Sequence, residues 1–237
     1  MTYTILVFMS FLGALLTAVV GMGGGIMLIA IMPGLIPTGA IIPLHGVIQF
    51  ASNISRVVID IRAMNWRIAG HWLLGTCLGA AIGAPLIKKV PIDFLPIVLG
   101  MFILLVTWAP VRKLRFKIPG QYFGLGCITA FLSLFVGATG PIGLTAIIRE
   151  KMNTNTLIAT SSAMNASVQG AKVGAFLAIG FSFTPYLNLL ASIIVAVTVG
   201  SLLGKQIRSR LPAGKLIFAI KILLSVLAVR MVIITLM

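Results

Sequence analysis

The sequence VGMGGGIMLIAI at residues 20–31 recurs as VGATGPIGLTAI at residues 136–147, which is 116 positions later. Seven of the twelve aligned positions are identical, namely Val20, Gly21, Gly24, Ile26, Leu28, Ala30 and Ile31. Both copies interrupt an apolar run with glycine or proline, residues that disfavour a continuous helix. This recurrence predicts two copies of one structural unit, residues 1–116 and 117–237, within one integrated membrane domain.

The repeat continues into the segment that follows each break. Polar side chains along residues 42–58 fall on side chains of similar chemistry along residues 154–176. The matched pairs are Gln49 with Asn165, Asn53 with Gln169, and Arg56 with Lys172. Their spacing places each set on one helix face, which His45 and Ser161 extend by one turn. Chance similarity between glycine-rich apolar segments is the alternative, and the matched polar triplet argues against it.

The composition indicates a membrane protein. Hydrophobic residues make up 59% of the 237 residues and charged residues only 9%, against about a quarter charged in soluble domains. Most apolar runs approach the ~20 residues that cross a bilayer as a helix. These runs cover residues 4–20, 26–42, 42–58, 67–87, 92–110, 118–136, 154–176, 183–204 and 213–233. They lack the alternation of barrel strands, so the sequence predicts an all-α polytopic membrane protein.

The distribution of basic residues predicts how the helices cross. The net charge of +15 could favour nucleic acid, but the lysines and arginines lie in short loops, as the positive-inside rule requires. Simple alternation of eight helices divides the loop charges seven against eight. If each break is instead the tip of a hairpin, the division is thirteen against two, with Lys88 and Lys89 outside. The sequence therefore predicts two inverted repeats, each a glycine-broken hairpin plus three transmembrane helices, with both termini outside.

Interrupted helices in inverted repeats are a recurring transporter plan with a binding site near the midplane. A helix that restarts after a break presents unpaired N–H groups and a positive dipole end, which attract anions. The predicted substrate-binding residues are Gly21, Gly23, Gly24, Gly25, His45, Gln49, Asn53, Arg56, Gly137, Thr139, Gly140, Pro141, Ser161, Asn165, Gln169 and Lys172. Close helix packing is the alternative for the glycines. Arg56 is expected near the cytoplasmic mouth and Lys172 near the outer mouth, where each attracts an anion, and snorkelling to head groups is the alternative for both.

Acidic residues are too few for several other functions. The three acids, Asp60, Asp93 and Glu150, all lie at the ends of predicted spans, which disfavours a cation site or a carboxylate proton relay. The sequence contains no carboxylate pair and no His/Cys cluster, so neither an enzyme nor a cofactor is expected. The tryptophans at positions 66, 72 and 108 are predicted to anchor the chain at the membrane interface.

The sequence GMGGGIMLIAIMP (21–33), with its second copy beginning GATGP at residue 137, resembles the TauE/SafE family of sulfite-exporter-type permeases. The resemblance covers essentially the whole chain and implies transport of sulfite, sulfonates or related anions across the cell membrane. It implicates both breaks, although Thr139 and Pro141 replace the glycines of the first copy. The expected function is anion transport by alternating access, with membrane lipids as partners. A carboxylate carrier and a non-transporting scaffold with a dry midplane are the alternatives.

Overall fold

The computed structural model describes residues 2–89, 95–108, 120–148, 150, 152–208, 222, 225, 226 and 229. Its α-helices are α1 (Thr2–Val20), α2 (Gly24–Ile31), α3 (Thr38–Ile59), α4 (Trp66–Gly83), α5 (Leu95–Trp108), α6 (Gln121–Val136), α7 (Gly140–Ile147), α8 (Thr154–Ala178) and α9 (Leu187–Ile207). Short 3-10 helices cover Ile61–Ala63, Ala84–Lys89 and Thr184–Tyr186. Most of the predicted span 213–233 lies outside the described residues.

The exposed surface has the character of a lipid-facing surface. Among the described residues, three helical segments are long and apolar enough to cross a membrane, namely Tyr3–Val20, Trp66–Lys89 and Thr184–Ile207. Large apolar side chains point outward from each of them, and Phe8, Leu74 and Val195 are 55%, 63% and 65% exposed. Hydrocarbon solvates such a surface and water does not. The predicted class, an all-α polytopic membrane protein, is confirmed.

The first glycine-rich break reverses the chain. Gly21 and Gly23 have φ angles of 88° and 105°, a region that glycine enters without steric cost. Helix α2 then begins against the end of α1, where the Gly24 N–H donates to Thr17 Oγ1 at 3.1 Å. A Cβ on Gly24 would lie 1.9 Å from the carbonyl oxygen of Gly13. The break is therefore the tip of a closely packed helical hairpin.

The second break lies against the first hairpin. Helix α6 ends at Val136, and the Gly137 that follows has a φ angle of 72°. Helix α7 starts at Gly140 with Pro141 in its first turn. A Cβ on Gly137 would lie 2.1 Å from Cδ1 of Ile29 in α2. Reciprocally, Gly21 lies beside Leu144 of α7. The two breaks and the two short helices thus pack together inside the protein.

The long helices pack in corresponding pairs. Helix α1 packs along α9 and α6 along α4, while α3 contacts α8. Glycines allow the closest approaches, with Gly79 against the backbone of Cys127 and Gly200 against that of Phe11. Positions 11 and 127 are 116 residues apart, and positions 79 and 200 are 121 apart. The first offset is the one that relates the two breaks in the sequence, and the second is five residues longer.

Ionic contacts bring the ends of α3 and α9 together. Lys205 Nζ lies 2.7 Å from Asp60 Oδ1, and Arg208 Nη1 lies 3.8 Å from Asp60 Oδ2. The Arg208 Nε–H also donates to the carbonyl oxygen of Ala18 near the end of α1 at 2.7 Å. Simple alternation of the helices would place Asp60 and Lys205 on opposite sides of the membrane, whereas here they lie at one end of the bundle.

The prediction that Trp72 anchors the chain at the membrane interface is wrong. Trp66 and Trp108 are 66% and 57% exposed, but Trp72 is fully buried. The backbone of Trp72 lies against Gly126, and its ring lies against Gly143. Small residues on α6 and α7 make room for this side chain in the protein interior, a property of neighbouring helices that the position of Trp72 in its own segment does not reveal.

Candidate functional site

A pocket lies where the two breaks meet the polar faces of α3 and α8. It holds about 390 Å³ of empty space, including its open mouth. Eleven of the sixteen predicted site residues line it: Gly21, Gly23, Gly25, His45, Gln49, Asn53, Arg56, Gly140, Pro141, Asn165 and Gln169. Thr17, Met22, Ile26 and Ala138 complete the lining. Met22 and Ala138 lie within the two breaks, and Thr17 and Ile26 lie close to the first break along the chain. This proximity is the signal in the sequence that could have identified them.

The other five predicted residues lie behind the pocket wall. Gly24 faces Gly13 and Gly137 faces Ile29, so these two glycines serve helix packing. The Ser161 hydroxyl donates to the Ile158 carbonyl oxygen within its own helix. The remaining members of this group are Thr139 and Lys172, both of which are fully buried. None of these five residues lines this pocket.

The first break contributes unpaired backbone donors. The first N–H groups of a helix have no partner within that helix. Thr17 Oγ1 accepts from the Gly24 N–H, and the Gly23 carbonyl oxygen accepts from the Met27 N–H at 2.9 Å. Among the described residues, no hydrogen bond uses the N–H groups of Gly25 and Ile26, and both residues line the pocket. The second break offers fewer such groups, because Pro141 has no N–H.

Arg56 lies in the pocket wall with its guanidinium held in place. Its side chain is 2% exposed, so it does not snorkel to lipid head groups. It donates to Ser52 Oγ at 2.8 Å, to Asn53 Oδ1 at 2.7 Å and to Ser162 Oγ at 3.1 Å. Since a guanidinium has five N–H donors, two remain for another acceptor. The contact with Ser162 joins α3 of the first half to α8 of the second.

Lys172 is the repeat partner of Arg56 and is sealed off from the pocket. It is fully buried, and its ammonium donates to the Gly137 carbonyl oxygen and to Gln169 Oε1, both at 2.6 Å. Both cations thus bind the amide oxygen of the side chain three residues earlier, Asn53 for Arg56 and Gln169 for Lys172. The difference is that Lys172 also holds the second break.

The pocket region is electropositive. Neither Arg56 nor Lys172 has a carboxylate partner among the described residues, because Asp60 pairs with Lys205 and Arg208. Glu150 accepts a hydrogen bond from Tyr122, and Asp93 lies outside the described residues. A buried positive charge without a counterion strongly favours an anion nearby. Among the described residues, no three His, Cys, Asp or Glu side chains lie close enough together to hold a metal ion.

The fold and the pocket define a polytopic helical membrane protein whose interior presents a small, positively charged polar cavity between two interrupted helices. The family model described as sulfite exporter TauE/SafE matches residues 6–231, so the chain belongs to that family. The family consists of membrane transporters for sulfite or related anions. No curated protein and no solved structure was found to match the chain.

Proposed function

We propose that the protein is a secondary transporter of a small oxyanion, either sulfite or an organosulfonate, across the cell membrane. The observation that carries this proposal is that Gly25, Ile26 and Arg56 line one pocket, since each carries an N–H group that no hydrogen bond among the described residues uses. Backbone N–H groups at a helix start bind oxyanions, and a guanidinium adds charge and a planar donor array. The described residues that line the pocket include no pair of carboxylates and no nucleophile next to a general base. The chemistry of the pocket therefore favours binding over catalysis.

The two halves, residues 1–116 and 117–237, are proposed to be inverted repeats that rock about this pocket. Equivalent glycines pack against equivalent positions in the other half, Gly79 at Cys127 and Gly200 at Phe11. Arg56 lines the pocket whereas its partner Lys172 does not. In this proposal the present conformation admits the anion from the Arg56 side. The opposite conformation releases Lys172 from Gly137 and opens the Lys172 side, as alternating access requires.

A non-transporting scaffold is less well supported, because it predicts a dry and fully packed midplane. The residues around Gln49 and Asn165 instead border a polar pocket. A carboxylate carrier would use the same donors, since carboxylates and sulfonates accept similar hydrogen bonds. A binding panel of sulfite, sulfonates and carboxylates on purified protein separates these two transport functions.

Removal of either stripe amide is expected to weaken anion binding. Gln49→Leu and Asn165→Leu each delete a polar group from the pocket wall. A hydrogen bond to a charged group contributes roughly 1.5–3 kcal/mol, which corresponds to about a ten- to hundredfold loss of affinity. Asn188→Leu makes a similar change at an exposed position on α9 and serves as control. Titration calorimetry with sulfite measures the effect, and wild-type affinity in both pocket variants would limit these amides to helix packing.

The proposed topology places Lys88 outside, and Arg62 and Lys113 in the cytoplasm. Arg62 and Lys88 are exposed in the short 3-10 helices that flank α4 on opposite sides, and Lys113 lies outside the described residues. Single cysteines at these three positions, in a chain without Cys77 and Cys127, are to be labelled with a membrane-impermeant maleimide in intact cells. We expect Lys88→Cys to react at once, and the other two only after permeabilisation. Reaction of Lys113→Cys in intact cells would contradict the inverted arrangement.

A further inference from the structure

Two residues of the pocket wall carry a buried hydrogen-bond acceptor without a partner. Asn165 Oδ1 and His45 Nδ1 have no hydrogen bond to any of the described residues, and the two side chains are 9% and 0% exposed. An unsatisfied buried polar atom costs about 1–3 kcal/mol, and folded proteins leave few of them. Both residues line the pocket, so its occupant is the natural source of the missing donors.

The orientation of the Asn165 amide follows from its other contact. Its Nδ2 donates to the Ser161 carbonyl oxygen at 3.0 Å. A carbonyl oxygen only accepts, so the nitrogen must be the atom at that position and Oδ1 must point the other way. Oδ1 lies 3.5 Å from the point where a Cβ of Gly140 would stand. Because Gly140 has no side chain there, the amide oxygen faces the start of α7, which is part of the pocket lining.

The tautomer of His45 is fixed in the same way. His45 Nε2 lies 2.9 Å from the Gly25 carbonyl oxygen, and since that oxygen can only accept, Nε2 carries the hydrogen. In a neutral imidazole the other nitrogen, Nδ1, then has a free lone pair. The His45 ring is fully buried, and burial disfavours its charged form. His45 therefore adds a second unpartnered acceptor to the pocket wall, beside Asn165.

A fully deprotonated oxyanion cannot satisfy both kinds of group. Its oxygens accept from Gly25, Ile26 and Arg56, but they offer no hydrogen to His45 or Asn165. An ammonium group could donate, yet it would add a positive charge beside the buried Arg56, a repulsion that low polarity strengthens. A neutral O–H group donates without this repulsion.

We propose that the pocket selects anions that carry an O–H donor next to the anionic group. Two sources supply that chemistry, namely a hydroxyl on the carbon chain of a sulfonate and the remaining proton of an inorganic oxyanion. The inference rests on the proposed function, because it assumes that the anion occupies this pocket. It adds a criterion of substrate selection that charge and size do not supply. Sites built to pair a substrate O–H can reject the analogue that lacks it by several orders of magnitude.

The test compares matched ligands on the purified full chain by titration calorimetry at one pH. The sulfonates are ethanesulfonate, 2-hydroxyethanesulfonate and 2-aminoethanesulfonate, and the inorganic pair is sulfate and hydrogenphosphate. We expect the O–H-bearing member of at least one set to bind tenfold or more tightly than its analogue without a donor, which is the gain from about one hydrogen bond. The set in which this preference occurs identifies the source of the O–H group.

Two variants link that preference to the acceptors. His45→Gln can keep a donor for the Gly25 carbonyl oxygen while removing Nδ1, and Asn165→Leu removes Oδ1. Each is expected to lower the affinity for the O–H-bearing ligand more than for its analogue, so that the affinity ratio falls several-fold. Asn188→Leu, at an exposed position, should leave the ratio unchanged. Because the ratio is taken within one variant, a general loss of folded protein does not alter it.

The outcomes separate the inference from the proposed function. Equal affinities within every set, or tightest binding of the aminated sulfonate, would overturn the O–H criterion and leave anion transport standing. An unchanged ratio in both variants would also overturn it, because the preference would then arise elsewhere. If neither these ligands nor sulfite binds to folded wild-type protein, the proposed function itself fails.

Discussion

Replacing Gly24 with alanine is expected to prevent the first hairpin from closing. The added Cβ would lie 1.9 Å from the Gly13 carbonyl oxygen and 2.5 Å from Thr17 Oγ1. The nearest atom belongs to helix backbone, so no side-chain rotation relieves the clash. Overpacking in a dense interior typically costs about 1–3 kcal/mol and sometimes more, and loss of the Gly24–Thr17 hydrogen bond adds to that cost. We expect a clear fall in thermal unfolding temperature and in the yield of monodisperse protein.

Two further glycines serve as controls for this experiment. Gly174, on α8, has no atom within 4 Å of an added Cβ, so Gly174→Ala should unfold like the wild type. Gly140 lies in the pocket lining, and its nearest neighbour would be Asn165 Oδ1 at 3.5 Å. Gly140→Ala should therefore fold normally and weaken anion binding instead. Wild-type stability of Gly24→Ala would mean that α1 and α2 are not packed as described.

The comparison of Gly24 with Gly25 indicates what sequence can and cannot predict at a break. The sequence predicts the interruption itself, because consecutive glycines in an apolar run disfavour a continuous helix. It does not distinguish the two residues, and both were expected to contact substrate. In the structure Gly24 faces Gly13, whereas Gly25 faces Gln49 in the pocket. Neighbouring helical residues point about 100° apart, so the role of each depends on which helix lies alongside.

The sequence predicted the polar faces of α3 and α8 better than it predicted the burial of Arg56 and Lys172 on those faces. Helical periodicity alone placed Gln49, Asn53 and Arg56 on one face, and all three line the pocket. The same reasoning placed Arg56 and Lys172 near opposite mouths as equivalent attractors. Instead both are buried, and only Arg56 borders the pocket. Their hydrogen-bond acceptors include Ser162 on another helix and the backbone of Gly137, which are tertiary contacts that a repeat alignment does not contain.

The burial of Arg56 changes the expected effect of its removal. A cation at an exposed mouth would mainly raise the rate of anion capture, and high salt would diminish its contribution. A buried guanidinium with two unused N–H donors instead contributes to equilibrium affinity. Two hydrogen bonds to an anion, at roughly 1.5–3 kcal/mol each, predict a loss of about a hundredfold or more in Arg56→Met. Calorimetric titration with sulfite at low and high salt measures both the loss and its salt dependence.

Protein stability distinguishes this role from a structural one. If Arg56 mainly joins α3 to α8 through Ser162, Arg56→Met should lower the unfolding temperature. If it mainly binds the anion, replacement of an unneutralised buried cation by an apolar side chain should change stability little, because the cost of burying the charge disappears as well. Arg67→Met makes the same change at an exposed position at the start of α4 and should leave affinity unaltered. A large loss of affinity without a loss of stability assigns Arg56 to the anion. Unaltered affinity in Arg56→Met would mean that Arg56 does not bind the anion. Equal losses of affinity in Arg56→Met and Arg67→Met would mean that both arginines act only through the overall positive charge of the protein.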